Sequence, residues 1–198
     1  GIVLTLANDT VGTGPRLQLL TGDERVNRQV EREFHLWARE VALAEKLRTM
    51  RMARAQDGEA FAILANNPAA DHPVKLDLRP VEADQVTSPL GAGVGRWALD
   101  LGNGSGTKER PHGPKDRSLT SGAREVDGVV LDELGNPAAY RVLKYHPGGN
   151  SWSPEDDFTT VPAESMVHIF RAERAGQHRG VPEIPPALPL FAQLRRFT

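Results

Sequence analysis

The six histidines give this chain its widest chemical reach, and His146, His168 and His178 fall near the carboxylates Asp156, Asp157 and Glu164 in sequence. An imidazole beside a carboxylate could act as a general base or hold a metal. The spacing argues against both roles. A helical metal site sets two ligands one turn apart, as in His-Glu-x-x-His, and no such pair occurs. His168 lies within Met166-Val-His-Ile-Phe170, where strand alternation puts it on one side with Met166 and Phe170, the setting of a hydrogen-bonded strand histidine. Gly102-Asn-Gly-Ser-Gly-Thr-Lys108 resembles a phosphate-cradling loop only superficially. That loop needs Gly-x-x-x-x-Gly-Lys followed by Ser or Thr between a strand and a helix, and Lys108 is followed by Glu109-Arg-Pro. Ser105, between Gly104 and Gly106, lacks the Gly-x-Ser-x-Gly register and the apolar strand that would expose a nucleophile.

Trp37, Trp97 and Trp152 could stack on bases. Trp37, however, falls at the helical spacing of a core position, and Trp152, close to Pro154, reads as a loop anchor. The absence of cysteine excludes disulfides, thiolate metal sites and cysteine nucleophiles. We therefore expect no catalytic, cofactor-binding or metal-binding residue. The rival reading is a small His/Asp-dependent hydrolase or metal-dependent enzyme, and it needs two or three of His146, His168 and His178 to converge with a carboxylate on one pocket.

The elements that would position these residues follow from periodicity. Thr21 with Glu24 matches a capping box, which predicts a helix start near Gly22 or Asp23. Val26, Val30, Phe34, Trp37, Val41, Ala44, Leu47 and Met50 then recur at three- and four-residue intervals between charged residues. This predicts helices at 23–40 and 43–56, broken within 40–44 and stopped at Asp57-Gly58. Strands are expected at 59–65, 74–81, 126–131, 138–145 and 165–170. The pair 126–131 and 138–145 forms a hairpin across Asp132-Glu-Leu-Gly-Asn-Pro137. A second loop is expected at 146–159, another at 172–181, and the first turns of a helix at 186–197. Residues 88–124 lose periodicity and fill with Gly, Pro, Ser, Lys and Arg, so they predict a long flexible loop.

These elements amount to an α+β fold, with helices packed on a mixed or antiparallel β-sheet in a single domain over residues 1–198. A chain of 198 residues is long enough to bury a substantial core. The apolar opening Gly1-Ile-Val-Leu-Thr-Leu-Ala is too short to span a bilayer and reads as a structural segment. A formal charge of −2 at pH 7 gives no global pull toward nucleic acid, and Lys and Arg alternate with Asp and Glu instead of forming a basic face. The chain opens without Met and closes as an apolar pattern develops, so we expect it to be a piece of a longer protein.

Short motifs in a fixed order carry a further reading. They are Val11-Gly-Thr-Gly-Pro-Arg-Leu-Gln18, Trp37-Ala38, Asp57-Gly-Glu-Ala-Phe61, Gly128-Val-Val-x-Asp132, Gly135-Asn-Pro-Ala-Ala-Tyr140, His146-Pro147, Val161-Pro-Ala163, Val167-His-Ile-Phe170 and Gly176-Gln-x-Arg-Gly-Val-Pro182. Together they resemble the portal proteins of tailed phages, lambda type. The resemblance implies a non-enzymatic subunit of a dodecameric ring at the capsid vertex, in the virion and, during assembly, in the host cytoplasm. It implies partners as well: further copies of itself, terminase, capsid and head–tail connector proteins, and double-stranded DNA passing without sequence specificity, with no membrane. The chain would be the wing-like N-terminal region. Two features depart from the family pattern: a short connection between the Trp37 and Leu47 helices, and prolines 185, 186 and 189 where a helix should grow.

Overall fold

A computed structural model describes residues 1–88, 124–148 and 158–196. All but the ends of the loop expected at 88–124 lie outside the described residues, as do Trp97 and Trp152. Contacts divide the chain into two compact units, residues 1–81 with 165–198, and residues 82–164. Both sheets are antiparallel, and the fold is α+β.

In the first unit, α1 (Ile2–Val11), α2 (Glu24–Glu40) and α3 (Leu43–Asp57) precede a sheet of β1 (Glu59–Asn66), β2 (Leu76–Val81) and β7 (Met166–Phe170), with β1 central. The start of α2 differs from the expected capping box. Asp23 is the N-cap, accepting from the N–H groups of Arg25 at 2.9 Å and Val26 at 3.2 Å. Thr21 instead turns its hydroxyl to the side chain of Asn27, and Asn27 Nδ2 donates back to the Thr21 carbonyl at 3.0 Å.

The expected break occurs between α2 and α3, at Ala42, whose φ is 52°. In an unbroken helix Val41 and Leu43 would point roughly 200° apart. The break lets both join Trp37 in one buried cluster, backed by Phe34, Ala38, Leu47 and Leu78. The stripe fails toward the start of α2, where Val26 and Val30 are exposed. Its anchor is at the other end, where Trp37 Nε1 donates to the Leu76 carbonyl of β2 at 2.8 Å. One face of β1, through Ala60 and Ala62, packs on Met50 of α3 with Leu47, Ala53, Leu78 and Val167.

The second unit holds a sheet in the order β3 (Arg124–Val126), β4 (Val129–Leu131), β5 (Pro137–Leu143), β6 (Phe158–Pro162). The hairpin across Asp132 forms as expected, with Val129 opposite Tyr140. Two expectations are corrected. Residues 126–131 are not one strand, because Asp127 and Gly128 both take positive φ, 47° and 81°, and turn β3 back onto β4. Gly128 is also a point of close approach, since a Cβ there would lie 2.6 Å from Thr87 N. The second correction concerns the end of the loop expected at 146–159, which is strand from Phe158 and pairs with β5 through Val161 opposite Tyr140. At the end of the first unit, the turn Pro185–Ala187 leads into α4 (Leu188–Leu194), with Pro189 in its first turn, where proline is tolerated.

Candidate functional site

The chemically richest cluster is on the face of β1 turned away from α3. Strand alternation brings Glu59 and Phe61 to that face, and the register sets Phe61 opposite His168 and Glu59 opposite Phe170. His168 stacks between the two phenyl rings, at 4.1 Å from Phe61 and 4.5 Å from Phe170. Its Nε2 lies 3.0 Å from Glu59 Oε2. The chain after β7 then folds back over this face. Arg179 Nε donates to Glu59 Oε1 at 2.7 Å, a second guanidinium nitrogen lies 2.6 Å from the same oxygen, and Gly180 N–H donates to Oε2 at 2.8 Å. The Arg179 guanidinium also sits 5.4 Å from the centre of the Phe61 ring.

A carboxylate this deep, with a side chain only 4% exposed, is stable only when its lone pairs are taken. Burial alone would raise the Glu59 pKa. The hydrogen bonds from His168, Arg179 and Gly180, with the Arg179 charge, outweigh it and hold the carboxyl below its ordinary value. The backbones meet as closely as the side chains do: a Cβ on Gly180 would fall 2.1 Å from the Gly58 carbonyl oxygen, and one on Gly58 would fall 2.2 Å from the Val181 carbonyl carbon. Just beyond, Glu183 bonds Arg51 at 3.0 Å and approaches Arg54 at 3.3 Å, and its N–H donates to the Ala55 carbonyl. Residues 179–183 form a strap fastened across the α3–β1 junction.

Of the histidines considered from sequence, His168 is thus enclosed by two rings and the Glu59 carboxylate. His178 lies just before the strap, next to Arg179 in sequence. His146 takes a different carboxylate, Glu82, at 2.7 Å. The described residues contain no group of three or more His, Asp or Glu side chains able to hold a metal. The sequence reading overlooked Glu59 and Arg179 as partners, although both lie inside quoted motifs. Their pairing spans 120 positions, and only the β1–β7 register brings the two segments together.

A cavity of about 370 Å³ lies between α1 and α3, lined by Val11, Pro15, Leu47, Met50, Arg51 and Ile169 among others. Val11 and Pro15 belong to the first of the ordered motifs, so that motif shapes a surface depression just as Asp57-Gly-Glu-Ala-Phe61 and Gly176-Gln-x-Arg-Gly-Val-Pro182 lock into one another.

Comparison with curated proteins finds no match. A family model described as phage portal protein, lambda family, matches residues 1–198. The match spans the whole sequence, including the paired glycines and the strap that fastens over them, and the chain belongs to the lambda family of phage portal proteins.

Proposed function

We propose that this chain is the wing-like region, residues 1–198, of a ring subunit at the capsid vertex, a conduit for DNA packaging and ejection on which terminase and head–tail connector proteins dock. The family match over the full sequence carries this reading. The architecture supports it. The Glu59 cluster holds the backbone in place, with the Glu59 and His168 side chains buried and His168 stacked between two rings. No helix among the described residues is long and apolar enough to cross a membrane. Assembly would begin in the host cytoplasm and end in the virion.

Disrupting the encoding gene in its phage tests the proposal. Lysates should then hold heads without packaged DNA, and antibody to this chain should label wild-type virions at a single vertex. DNA-filled heads from the disrupted phage, or label spread over the capsid, would overturn it.

A further inference from the structure

The tip of the β4–β5 hairpin presents a leucine to solvent on a hydrogen-bonded turn. Leu134 is 87% exposed. The turn beneath it is built around Asp132, whose Oδ1 accepts from Leu134 N–H at 2.9 Å and Asn136 N–H at 2.7 Å, while its backbone N–H donates to the Asn136 carbonyl at 2.8 Å. An apolar side chain on a preorganised turn, flanked by the exposed acid Glu133, loses little freedom when it docks.

The cavity between α1 and α3 has the complementary character. Val11, Pro15, Leu47, Met50 and Ile169 supply apolar walls, and Arg51 and Arg54 stand with them. Those two guanidiniums share one carboxylate, Glu183, so positive charge is in excess. A cavity of about 370 Å³ is at the small end for a ligand site and suits one or two side chains.

We propose that the cavity of one copy receives the Glu133-Leu134 hairpin tip of a second copy, leucine against the apolar walls and glutamate toward Arg51 and Arg54. This rests on the ring-subunit reading. Knob and hole are different surfaces, so the contact is head-to-tail and repeats from copy to copy instead of closing a two-fold dimer. A single hairpin tip buries far less than the roughly 1,200 Å² of a stable interface. The contact is therefore one of several in a ring and weak by itself.

The chain has no cysteine, which makes the test direct. Thr10→Cys, on the cavity wall, and Asn136→Cys, on the same hairpin turn with Leu134 and Glu133 left in place, are prepared separately, mixed and treated with a short bismaleimide. Ala69→Cys, on an exposed loop, replaces Thr10→Cys in the control mixture. We expect several-fold more heterodimer from the cavity pair than from the control, and a ladder of higher oligomers from a chain carrying both Thr10→Cys and Asn136→Cys. Arg54→Glu in the cavity copy should lower the yield, and Glu133→Arg in the hairpin copy should restore it, a rescue that misfolding would not give. Yield at the control level would overturn the contact, as would a Thr10→Cys thiol protected only by added capsid or tail proteins. Virion labelling is independent of it, so the subunit reading stands or falls separately.

Discussion

Glu59 concentrates in one side chain the tension between burial and charge. Its folded pKa is depressed, so its contribution to stability is present above the unfolded value near 4.5 and is lost as pH falls through the folded value. Glu59→Gln keeps the shape and removes the charge. The stability gap between the native chain and this variant should be widest at neutral pH and should close on acidification; a gap independent of pH would show that the carboxylate is not the feature that matters. Truncating the other partner should be costly too. Arg179→Ala strands a buried carboxylate and should cost about 3–5 kcal/mol in chemical denaturation. Trp37 presents a simpler case, with a buried ring and one hydrogen bond to the Leu76 carbonyl. Trp37→Ala should cost about 3–5 kcal/mol and Trp37→Phe, which loses mainly the N–H donor, about 1–2 kcal/mol. Equal losses in the two variants would contradict the contact at Leu76.

Among the elements, the strap at 179–183 depends on two glycines giving way to each other's backbone. Gly180→Ala would drive a Cβ into the Gly58 carbonyl, and no side chain there can move aside to relieve it. We expect a loss of more than about 2 kcal/mol, together with faster amide exchange through the strap. Exchange unchanged at Gly180 and Val181 would show that the crossing tolerates a methyl group. The break at Ala42 was legible in sequence because the apolar spacing runs on where a single helix would be unusually long. The Asp127-Gly128 turn was legible too, but the β-branched residues on both sides made one long strand the simpler reading. Sequence could not pair Glu59 with Arg179, since that depends on register between strands distant in the chain. Alternation did place His168 on one face of its strand without saying what would meet it. Nor did periodicity show that Val26 and Val30 would be left bare, because a stripe records which side of a helix is apolar and not how far its partner extends.

At the scale of the whole molecule, charge and contact area both point to weak, cooperative association. A net charge of −2 at pH 7 gives no overall electrostatic pull toward DNA. DNA binding scales with the number of phosphates neutralised at once, and so does its sensitivity to salt, so this chain by itself should bind duplex DNA weakly, without sequence preference and with only a shallow dependence on salt. Self-association should be concentration-dependent for a similar reason, since a docked hairpin tip supplies only part of the area that a lasting interface needs. Sedimentation velocity over a concentration series should show monomer giving way to a shifting average mass, with Leu134→Glu moving the series back toward monomer. A titration with labelled duplex at two salt concentrations covers the other half. Tight, sequence-specific binding by the monomer would argue for a nucleic-acid reader in place of a ring subunit. A stable ring that persists in Leu134→Glu would keep the subunit and remove the hairpin from its interface.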